Sequence, residues 1–186
     1  MFKFSGLDKG NAWKKSIKML ESKFNLKDGQ EAIIVSVVDQ KLYFIHGGEL
    51  RRIYPISTSK YGMGSECESK KTPLGVHRIC EKIGDGAEIM TIFKNKVNTE
   101  ELAVLNGETD KERMVITRIL RLEGLEEGIN KGEGIDSCDR NIYIHGTPEE
   151  ALIGKRASDG CIRMKSADII ELFDIVPKGT LVKIQL

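Results

Sequence analysis

The chain has 186 residues, 40% of them hydrophobic and 31% charged, with a formal net charge of +1. This balance is typical of one globular domain with a substantial core, and the length argues against a second full domain. The small net charge gives no overall field that favours nucleic acid. No apolar run approaches the roughly 20 residues needed to span a bilayer.

Residues 1–30 differ in charge from the rest, because they carry seven lysines and three acidic residues. Within them, residues 11–24 predict a basic amphipathic helix with Asn11 as its N-cap, because apolar side chains recur on one narrow face. Those side chains are Trp13, Ile17, Leu20 and Phe24. We expect this helix to pack on a domain formed by residues 31–186; the alternative is an anchor on an anionic membrane.

From Glu31 the pattern changes to β. Apolar, β-branched runs between turn residues predict a mainly β fold, a sandwich or barrel with two or three helices. The predicted strands are residues 32–38, a hairpin within 41–57, and 72–80, 88–93, 113–122, 141–146 and 180–186. A second helix is predicted over 166–179, capped by Ser166. Two polar stretches, 58–71 and 94–112, predict long loops, the second with one helical turn.

No export signal is visible at the N-terminus. The first 15 residues, MFKFSGLDKGNAWKK, contain neither an apolar core nor a small-residue cleavage site. We therefore expect a cytosolic chain, export by another route, or a signal that has been removed.

The most informative stretch is ASDGCIRMKS at residues 157–166, which holds one of four scattered cysteines. A cysteine nucleophile needs an uncrowded approach, a base or cation, and N–H donors for an oxyanion. Gly160 leaves the approach to Cys161 open, Arg163 is close enough to add positive charge, and the backbone of 159–161 offers donors. Core filler, metal ligand and disulfide partner are the other roles open to this thiol.

Three histidines are available as the base. His46 stands beside two glycines in a hairpin turn, and we expect it to be solvated. His77 lies in the middle of a strand and is expected on the face opposite the core. His145 ends the apolar strand NIYIHG, where a positioned base is expected, and it precedes Cys161 by 16 residues.

The segment 144–164, IHGTPEEALIGKRASDGCIRM, resembles the signature of the YkuD-type L,D-transpeptidases. That family has His-Gly-Thr at a strand end, a linker containing a glycine, and then Ser-x-Gly-Cys-Ile/Val-Arg. Two upstream segments, LYFIHGGELRRIYPIS and KTPLGVHRI, are similar to the family's early hairpin and its Thr-Pro-x-Gly turn. The resemblance covers about residues 31–184, with its segments in the right order.

The resemblance implies a β-sandwich with helices and an enzyme that acts on peptidoglycan stem peptides of the meso-diaminopimelate type. Such enzymes attack the bond after the L-centre of diaminopimelate in a tetrapeptide stem, release D-alanine and form a thioester on the cysteine. An amine acceptor then gives a crosslink or a lipoprotein attachment, which serves cell-wall biogenesis and cell shape. Water in its place gives an L,D-carboxypeptidase, and a free D-amino acid gives exchange.

The resemblance also implies a location in the cell envelope or periplasm, with no cofactor, no nucleic acid and no membrane span, and a monomer. Two alternatives stay open. One is a hydrolase or exchange enzyme delivered as an effector, which suits a chain without a visible signal peptide. The other is an inactive domain that binds stem peptides or a partner protein.

Carried onto this chain, the resemblance makes Cys161 the nucleophile and His145 its general base. The carbonyl group of Gly146 is expected to orient the base through the other ring nitrogen. The residues expected around the substrate are Arg163, Ser158, Asp159, Gly160 and Tyr143, with Gly154 framing the site. Arg163 suits a substrate carboxylate, because a guanidinium offers a bidentate fork, and Ser158 is expected to hold the turn.

Asp159 departs from the family pattern, because many members have histidine there. A carboxylate two residues before the thiol raises the pKa of the cysteine unless Arg163, Lys155 or Arg156 neutralises it. We expect Asp159 to point to solvent. The alternative is that Asp159 selects a cationic acceptor, such as an amine or the side-chain ammonium of diaminopimelate.

The other cysteines have less specific surroundings. We expect Cys80 in the core and Cys67 exposed in a loop, while Cys138 is the rival nucleophile without a flanking glycine. A zinc site of His145, Cys161 and Cys138 is a further alternative, but its ligands lack the close pairing typical of tetrahedral sites. We therefore expect no metal.

Overall fold

The computed structural model describes residues 12–105 and 114–186. Within these ranges the elements are α1 (Ala12–Phe24), β1 (Glu31–Ser36), β2 (Lys41–His46), β3 (Glu49–Pro55), β4 (Gly75–Ile83), β5 (Thr91–Lys94), β6 (Val97–Leu102), β7 (Val115–Gly124), β8 (Tyr143–Gly146), a 3-10 helix (Glu150–Leu152), β9 (Ile162–Met164), α2 (Ser166–Ile175) and β10 (Leu181–Gln185). The predicted class, mainly β with a few helices, is confirmed. Neither α-helix of the described residues is long and apolar enough to cross a membrane.

The strands join into one open, mixed sheet. Its main path runs in the order β3-β2-β1-β10-β4-β7-β5-β6, and β8 pairs with β7 on one edge and with β9 on the other. Two pairs are parallel, β1 with β10 and β8 with β9. The sheet divides at β7, because β7 pairs with three strands: β4 and β5 follow each other along one edge, and β8 pairs with the other.

Alternation along β1 sorts its side chains onto the two faces of the sheet. Ile33 and Val35 contact the main core, which also contains apolar side chains from β2, β3, β4, β7, β8, β9, β10 and α2. Ala32 and Ile34 belong to a second cluster together with α1. Because strands from both ends of the sheet contribute to one core, the sheet bends around that core.

Helix α1 covers the second face of the sheet. Trp13, Ile17 and Leu20 are buried in the cluster that contains Ala32 and Ile34. The helix follows the predicted range, and the proposed N-cap at position 11 lies outside the described residues. Its apolar stripe contacts the sheet, so the lysine-bearing face of α1 is the one exposed to solvent.

The prediction of a loop over 94–112 is wrong in its first part. Val97–Leu102 forms β6, which pairs with β5 across a turn at Asn95 and Lys96. Both turn residues have left-handed backbone angles, with φ of 49° and 69°, as a tight hairpin turn requires. Because β6 is exposed along nearly its whole length, it has no apolar alternation to recognise. Residues 106–112 lie outside the described part of the chain.

The N-cap residue of helix α2 is not the predicted Ser166. Lys165 occupies the N-cap position with extended backbone angles, and Ser166 is the first helical residue. The backbone N–H of Ser166 donates to a carboxylate oxygen of Glu150 at 2.8 Å. A side chain from the 3-10 helix therefore satisfies one of the N–H groups at the start of α2.

Candidate active site

The parallel strands β8 and β9 place the predicted site residues side by side. Ile144 is in register with Ile162, and His145 is in register with Arg163. The two isoleucines are fully buried in the main core. Because side chains alternate along a strand, His145 and Arg163 lie together on the opposite face of the pair.

Cys161 lies immediately before β9, on the same face as Arg163. Its thiol donates to the carbonyl oxygen of Asn141 and accepts from the backbone N–H of Tyr143, with Sγ at 3.4 Å from each partner. The thiol is therefore held against the start of β8, the strand that carries His145. Both side chains line the same cavity.

The imidazole of His145 is almost fully buried, with 3% of the residue exposed. Its Nδ1 lies 2.7 Å from the carbonyl oxygen of Gly146. A carbonyl oxygen can only accept, so Nδ1 carries the proton and Nε2 has the free lone pair in the neutral ring. Burial, together with a smaller effect of the positive charge of Arg163, lowers the pKa of His145 from 6.5 to about 4.

The position of Gly146 depends on a close approach to β7. A Cβ at this residue would lie 2.7 Å from the carbonyl oxygen of Ile116, which real side chains do not tolerate. The ladder between β7 and β8 is interrupted between Ile116 and Ile119, where Thr117 has φ of 71°. The bulge in β7 and the missing side chain of Gly146 together allow the close approach of the two strands at the end of β8. This approach fixes the position of the Gly146 carbonyl group, which contacts the His145 ring.

The environment keeps both members of the pair uncharged at rest. Burial raises the pKa of the Cys161 thiol, although the Tyr143 N–H and the cations Arg163 and Arg140 act in the opposite direction. Burial lowers the pKa of His145. The resting site therefore holds a neutral thiol and a neutral imidazole on the wall of one cavity.

The turn before Cys161 is tied by Ser158. The Ser158 hydroxyl donates to the Cys161 carbonyl oxygen at 2.6 Å and accepts from the Gly160 N–H at 3.3 Å. Gly160 has φ of +123°, a conformation that other residues rarely adopt. Thr72 completes the turn by donating to the Gly160 carbonyl oxygen at 2.9 Å. Ser158 therefore holds the turn, and the Gly160 N–H is engaged inside it.

Arg163 already holds a carboxylate of the protein. Its guanidinium donates to the Glu149 carboxylate at 2.8 Å, and 3% of the arginine side chain is exposed. The Arg163 backbone is also paired with Ser57 in both directions, at 2.8 Å and 2.9 Å. The sequence analysis assigned Arg163 to a substrate carboxylate and did not identify Glu149, which lies in the linker between the histidine and the cysteine.

The expectation that Asp159 points to solvent is wrong. Its side chain is 17% exposed and lies 3.5 Å from Lys60 and 4.0 Å from Lys70. The Asp159 carboxylate raises the pKa of Cys161, as expected from its charge. These two lysines come from the 58–71 loop, which the sequence analysis did not connect with Asp159. Both ammonium groups also lie 5.5 Å from the ring centre of Tyr61.

A cavity of about 580 Å³ joins these groups. Of the residues proposed from sequence, those that line it are Tyr143, His145, Asp159, Cys161 and Arg163. Gly146, Ser158 and Gly160 are not among the lining residues. They support the lining residues through hydrogen bonds of their backbone and hydroxyl groups. The lining is strongly charged, because Glu68, Lys70 and Arg140 also belong to it.

Arg140 is the site residue that sequence reasoning missed most clearly. It is half-buried just before β8, and its guanidinium donates to the carbonyl oxygens of Gly64 and Lys71 at 3.3 Å and 2.8 Å and to the Ser69 hydroxyl at 3.4 Å. The side chain thus fixes the 58–71 loop beside Cys161. Nothing in the local pattern around position 140 signals this long-range contact.

The other two histidines lie outside the cavity lining. His77 is fully buried, contrary to expectation, because its register with Val182 places it on the face of the sheet that carries the main core. Its Nε2 lies 3.0 Å from the Ser137 hydroxyl and its Nδ1 lies 3.3 Å from the Gly75 carbonyl oxygen. His46 is partly exposed, and its Nδ1 lies 3.1 Å from a carboxylate oxygen of Glu31.

The other cysteines are separate from the site. Cys67 is exposed, as predicted, whereas Cys80 is only partly buried, and its thiol donates to the Arg121 carbonyl oxygen at 3.5 Å. Cys138 is partly buried and is not among the residues that line the cavity. In the described ranges, no group of three or more His, Cys, Asp or Glu side chains is arranged to hold a metal ion.

The two fully buried histidines predict a loss of stability in mild acid. Burial lowers the pKa of His77 and of His145 from 6.5 to about 4, so between these values the unfolded chain binds more protons than the native protein. The free energy of unfolding should therefore fall as the pH drops from about 6.5 to about 4, by up to about 3 kcal/mol per histidine.

Urea unfolding at pH 7, 6 and 5 measures this effect. The variant His77→Gln removes one of the two titrating groups and should show a shallower loss between these pH values. A wild-type free energy of unfolding that stays constant from pH 7 to pH 5 would contradict the prediction.

The fold and the site define a mainly β domain with a histidine on one of two neighbouring parallel strands and a cysteine immediately before the other. The family model described as the YkuD L,D-transpeptidase catalytic domain matches residues 30–184. The chain therefore belongs to this family.

Individual relatives agree with this assignment. The probable L,D-transpeptidase ErfK/SrfK of Salmonella typhimurium is 30% identical over 158 residues, which is 83% of this chain and 44% of the relative. The putative L,D-transpeptidase YkuD of Bacillus subtilis is 61% identical over 41 residues, which is 22% of this chain and 25% of the relative. The chain thus matches less than half the length of these curated relatives.

Solved structures show the same fold. L,D-transpeptidase 3 from Mycobacterium tuberculosis, in complex with a faropenem-derived adduct, has a TM-score of 0.53 at 15% identity, with 84% of this chain and 60% of that chain covered. An L,D-transpeptidase from Mycobacterium smegmatis has a TM-score of 0.52 at 14% identity, with 84% and 59% covered. At these identities the likeness concerns the fold alone.

Proposed function

We propose that this chain is a peptidoglycan L,D-transpeptidase that works through a thioester on Cys161. The observation that carries the proposal is the contact between His145 and the Gly146 carbonyl oxygen. It fixes the proton on Nδ1 and leaves Nε2 as a base on the wall of the cavity that holds the thiol. Family membership supports the same conclusion.

In the acylation step, Nε2 of His145 takes the thiol proton while Sγ of Cys161 attacks the carbonyl carbon of the L-centre of meso-diaminopimelate. The carbon–nitrogen bond to D-alanine then breaks, and the proton passes from His145 to the leaving amine. A thioester remains on Cys161. Because the Gly160 N–H is engaged with Ser158, the N–H groups of Asp159 and Cys161 are our candidate donors to the oxyanion.

In the second step, an acceptor amine attacks the thioester carbon. Its proton passes through His145 to the departing sulfur, so that the thiol and the neutral imidazole are restored. No cofactor takes part in either step. The acceptor is a second stem peptide, and the product is a crosslink of the cell wall; we propose a monomer that acts in the cell envelope or periplasm.

The charge of the cavity wall supports a zwitterionic stem. Meso-diaminopimelate carries an ammonium and a carboxylate on its free D-centre, and the wall presents both carboxylates and cations. We propose that Asp159 and Glu68 face the ammonium and that Tyr143 packs against the stem, while Arg163 lines the wall with its charge already matched by Glu149.

The products formed from tetrapeptide-bearing muropeptides test this proposal. Mass spectrometry should detect an acyl-enzyme heavier by the tripeptide stem, then a crosslinked dimer with loss of D-alanine. A tripeptide as the single product would identify an L,D-carboxypeptidase instead, and replacement of D-alanine by an added D-amino acid would identify exchange. Absence of any acyl-enzyme would overturn the proposal in favour of a domain that only binds stem peptides.

A further inference from the structure

We propose that Arg140 recognises the free carboxylate at the end of the donor stem, with Lys70 as a second cation at the mouth of the cavity. This inference rests on the proposed function. It adds that the enzyme recognises the end of the stem. A stem with a free carboxylate on its fourth residue is therefore a donor, and a stem with an amide there is a poor donor.

The first support is the charge state of Arg140. Its three protein acceptors are the carbonyl oxygens of Gly64 and Lys71 and the hydroxyl of Ser69, which are all uncharged. Across residues 12–105 and 114–186, no carboxylate lies within 4.0 Å of its guanidinium nitrogens. Arg140 therefore brings a positive charge to the cavity wall with no described carboxylate in direct contact, and the Glu66 carboxylate acts on it from beyond 4.0 Å.

The second support is the contrast with Arg163. That guanidinium is buried and held by the Glu149 carboxylate at 2.8 Å, so its charge is already matched. Releasing Arg163 for a substrate carboxylate would leave the Glu149 carboxylate without this partner, which is costly in a buried site. Arg140 could bind a substrate carboxylate without giving up a carboxylate of the protein, because its present acceptors are uncharged groups of the 58–71 loop.

The third support is distance along the substrate. In the donor, the carboxyl carbon of the leaving residue is separated from the scissile carbonyl carbon by one nitrogen and one Cα, about 3 to 4 Å. The group that binds this carboxylate must therefore lie near Cys161. Arg140 meets that requirement, because it lines the same cavity and its charge lowers the pKa of Cys161.

Lys70 extends the positive region towards the cavity mouth. Its neighbours Ser69 and Lys71 are the residues that Arg140 holds, so Arg140 also fixes the backbone on both sides of Lys70. The Lys70 side chain is 43% exposed and its ammonium lies 4.0 Å from Asp159, which Lys60 approaches more closely at 3.5 Å. An entering carboxylate would meet Lys70 first and the positive charge of the Arg140 guanidinium next.

The decisive experiment compares two donor stems that differ in one group. One is the tetrapeptide stem with a free terminal carboxylate and the other is the same stem with a terminal carboxamide. We expect wild-type kcat/KM to favour the free acid by about 10- to 100-fold, as for loss of a charged hydrogen-bond partner. Arg140→Gln should lower kcat/KM for the acid by a similar factor, mainly through KM, and change the amide little.

Three further variants separate recognition from support of the loop. Arg140→Lys keeps the charge without the fork and should recover part of the preference for the acid. Ser69→Ala removes one loop contact of Arg140 and should keep the preference. Arg51→Gln is the matched control, because Arg51 is exposed on β3 and pairs with Glu49 outside the cavity; it should leave both stems unaffected.

Binding to Cys161→Ala protein, measured by calorimetry, tests the inference independently of turnover. This protein should bind the acid more tightly than the amide, and the additional change Arg140→Gln should remove the difference. Equal binding of acid and amide would overturn the role of Arg140 even if the enzyme is active. Equal losses for both stems in Arg140→Gln would also overturn it and would assign Arg140 to loop support. Failure to bind or turn over any stem would overturn the proposed function as well.

Discussion

Replacing Cys161 with alanine is expected to abolish formation of the acyl-enzyme and to lower turnover by at least about a thousandfold. The thiol is the group that forms the covalent bond in the proposed mechanism, and alanine cannot form it. The fold should survive, because the two hydrogen bonds of the sulfur are long, at 3.4 Å each, and alanine retains the apolar Cβ. Intact-protein mass spectrometry after incubation with muropeptides measures the loss directly.

Cys138→Ala is the matched control for this experiment. Cys138 was the rival nucleophile in the sequence, and it has a similar degree of burial but does not line the cavity. The Cys138 variant should still form the acyl-enzyme at close to the wild-type rate. The assignment of Cys161 would be wrong if the Cys161 variant formed the same products as the wild-type protein.

Removing the imidazole of His145 is expected to slow acylation by about 100- to 10,000-fold. Because burial raises the pKa of Cys161, little thiolate exists near neutral pH, and the reaction depends on a base that accepts the thiol proton. His145→Gln keeps a polar side chain of similar size without that base. The rate of acylation in single-turnover experiments is the quantity to compare.

His46→Ala is the control, because His46 is partly exposed and lies outside the cavity lining. It should acylate at the wild-type rate. A His145→Gln variant that acylates as fast as the wild-type protein would remove His145 from the mechanism.

The pH dependence of acylation gives a second measure of the role of His145. Because burial lowers the pKa of His145 to about 4, the ring stays unprotonated and able to accept a proton well below pH 6.5. The acid limb of the acylation rate should therefore lie near pH 4 rather than near pH 6.5. An acid limb near pH 6.5 in the folded protein would show that the base is not this buried ring.

Local patterns were sufficient for most of the framework. The alternation of NIYIHG and the glycine before Cys161 are properties of adjacent residues, and they are visible without a fold. One failure occurred where local pattern carries no information, because β6 is a strand without a buried face and its residues show no alternation. The expectation for His77 failed for a different reason. His77 shares a face with Ile79 and is in register with Val182, which both belong to the main core, so alternation along β4 itself places His77 on the core face.

The sequence by itself determined the candidate residues for the proposed chemistry, because the order of His145, Gly160, Cys161 and Arg163 resembles one family signature. The tertiary structure decided what surrounds that chemistry. The parallel pairing of β8 with β9 places His145 and the Cys161 thiol on one wall of the cavity. The 58–71 loop packs beside this wall and brings Lys60 and Lys70 close to Asp159. Contacts between segments far apart in the chain follow from packing of the whole domain, so no local pattern encodes them.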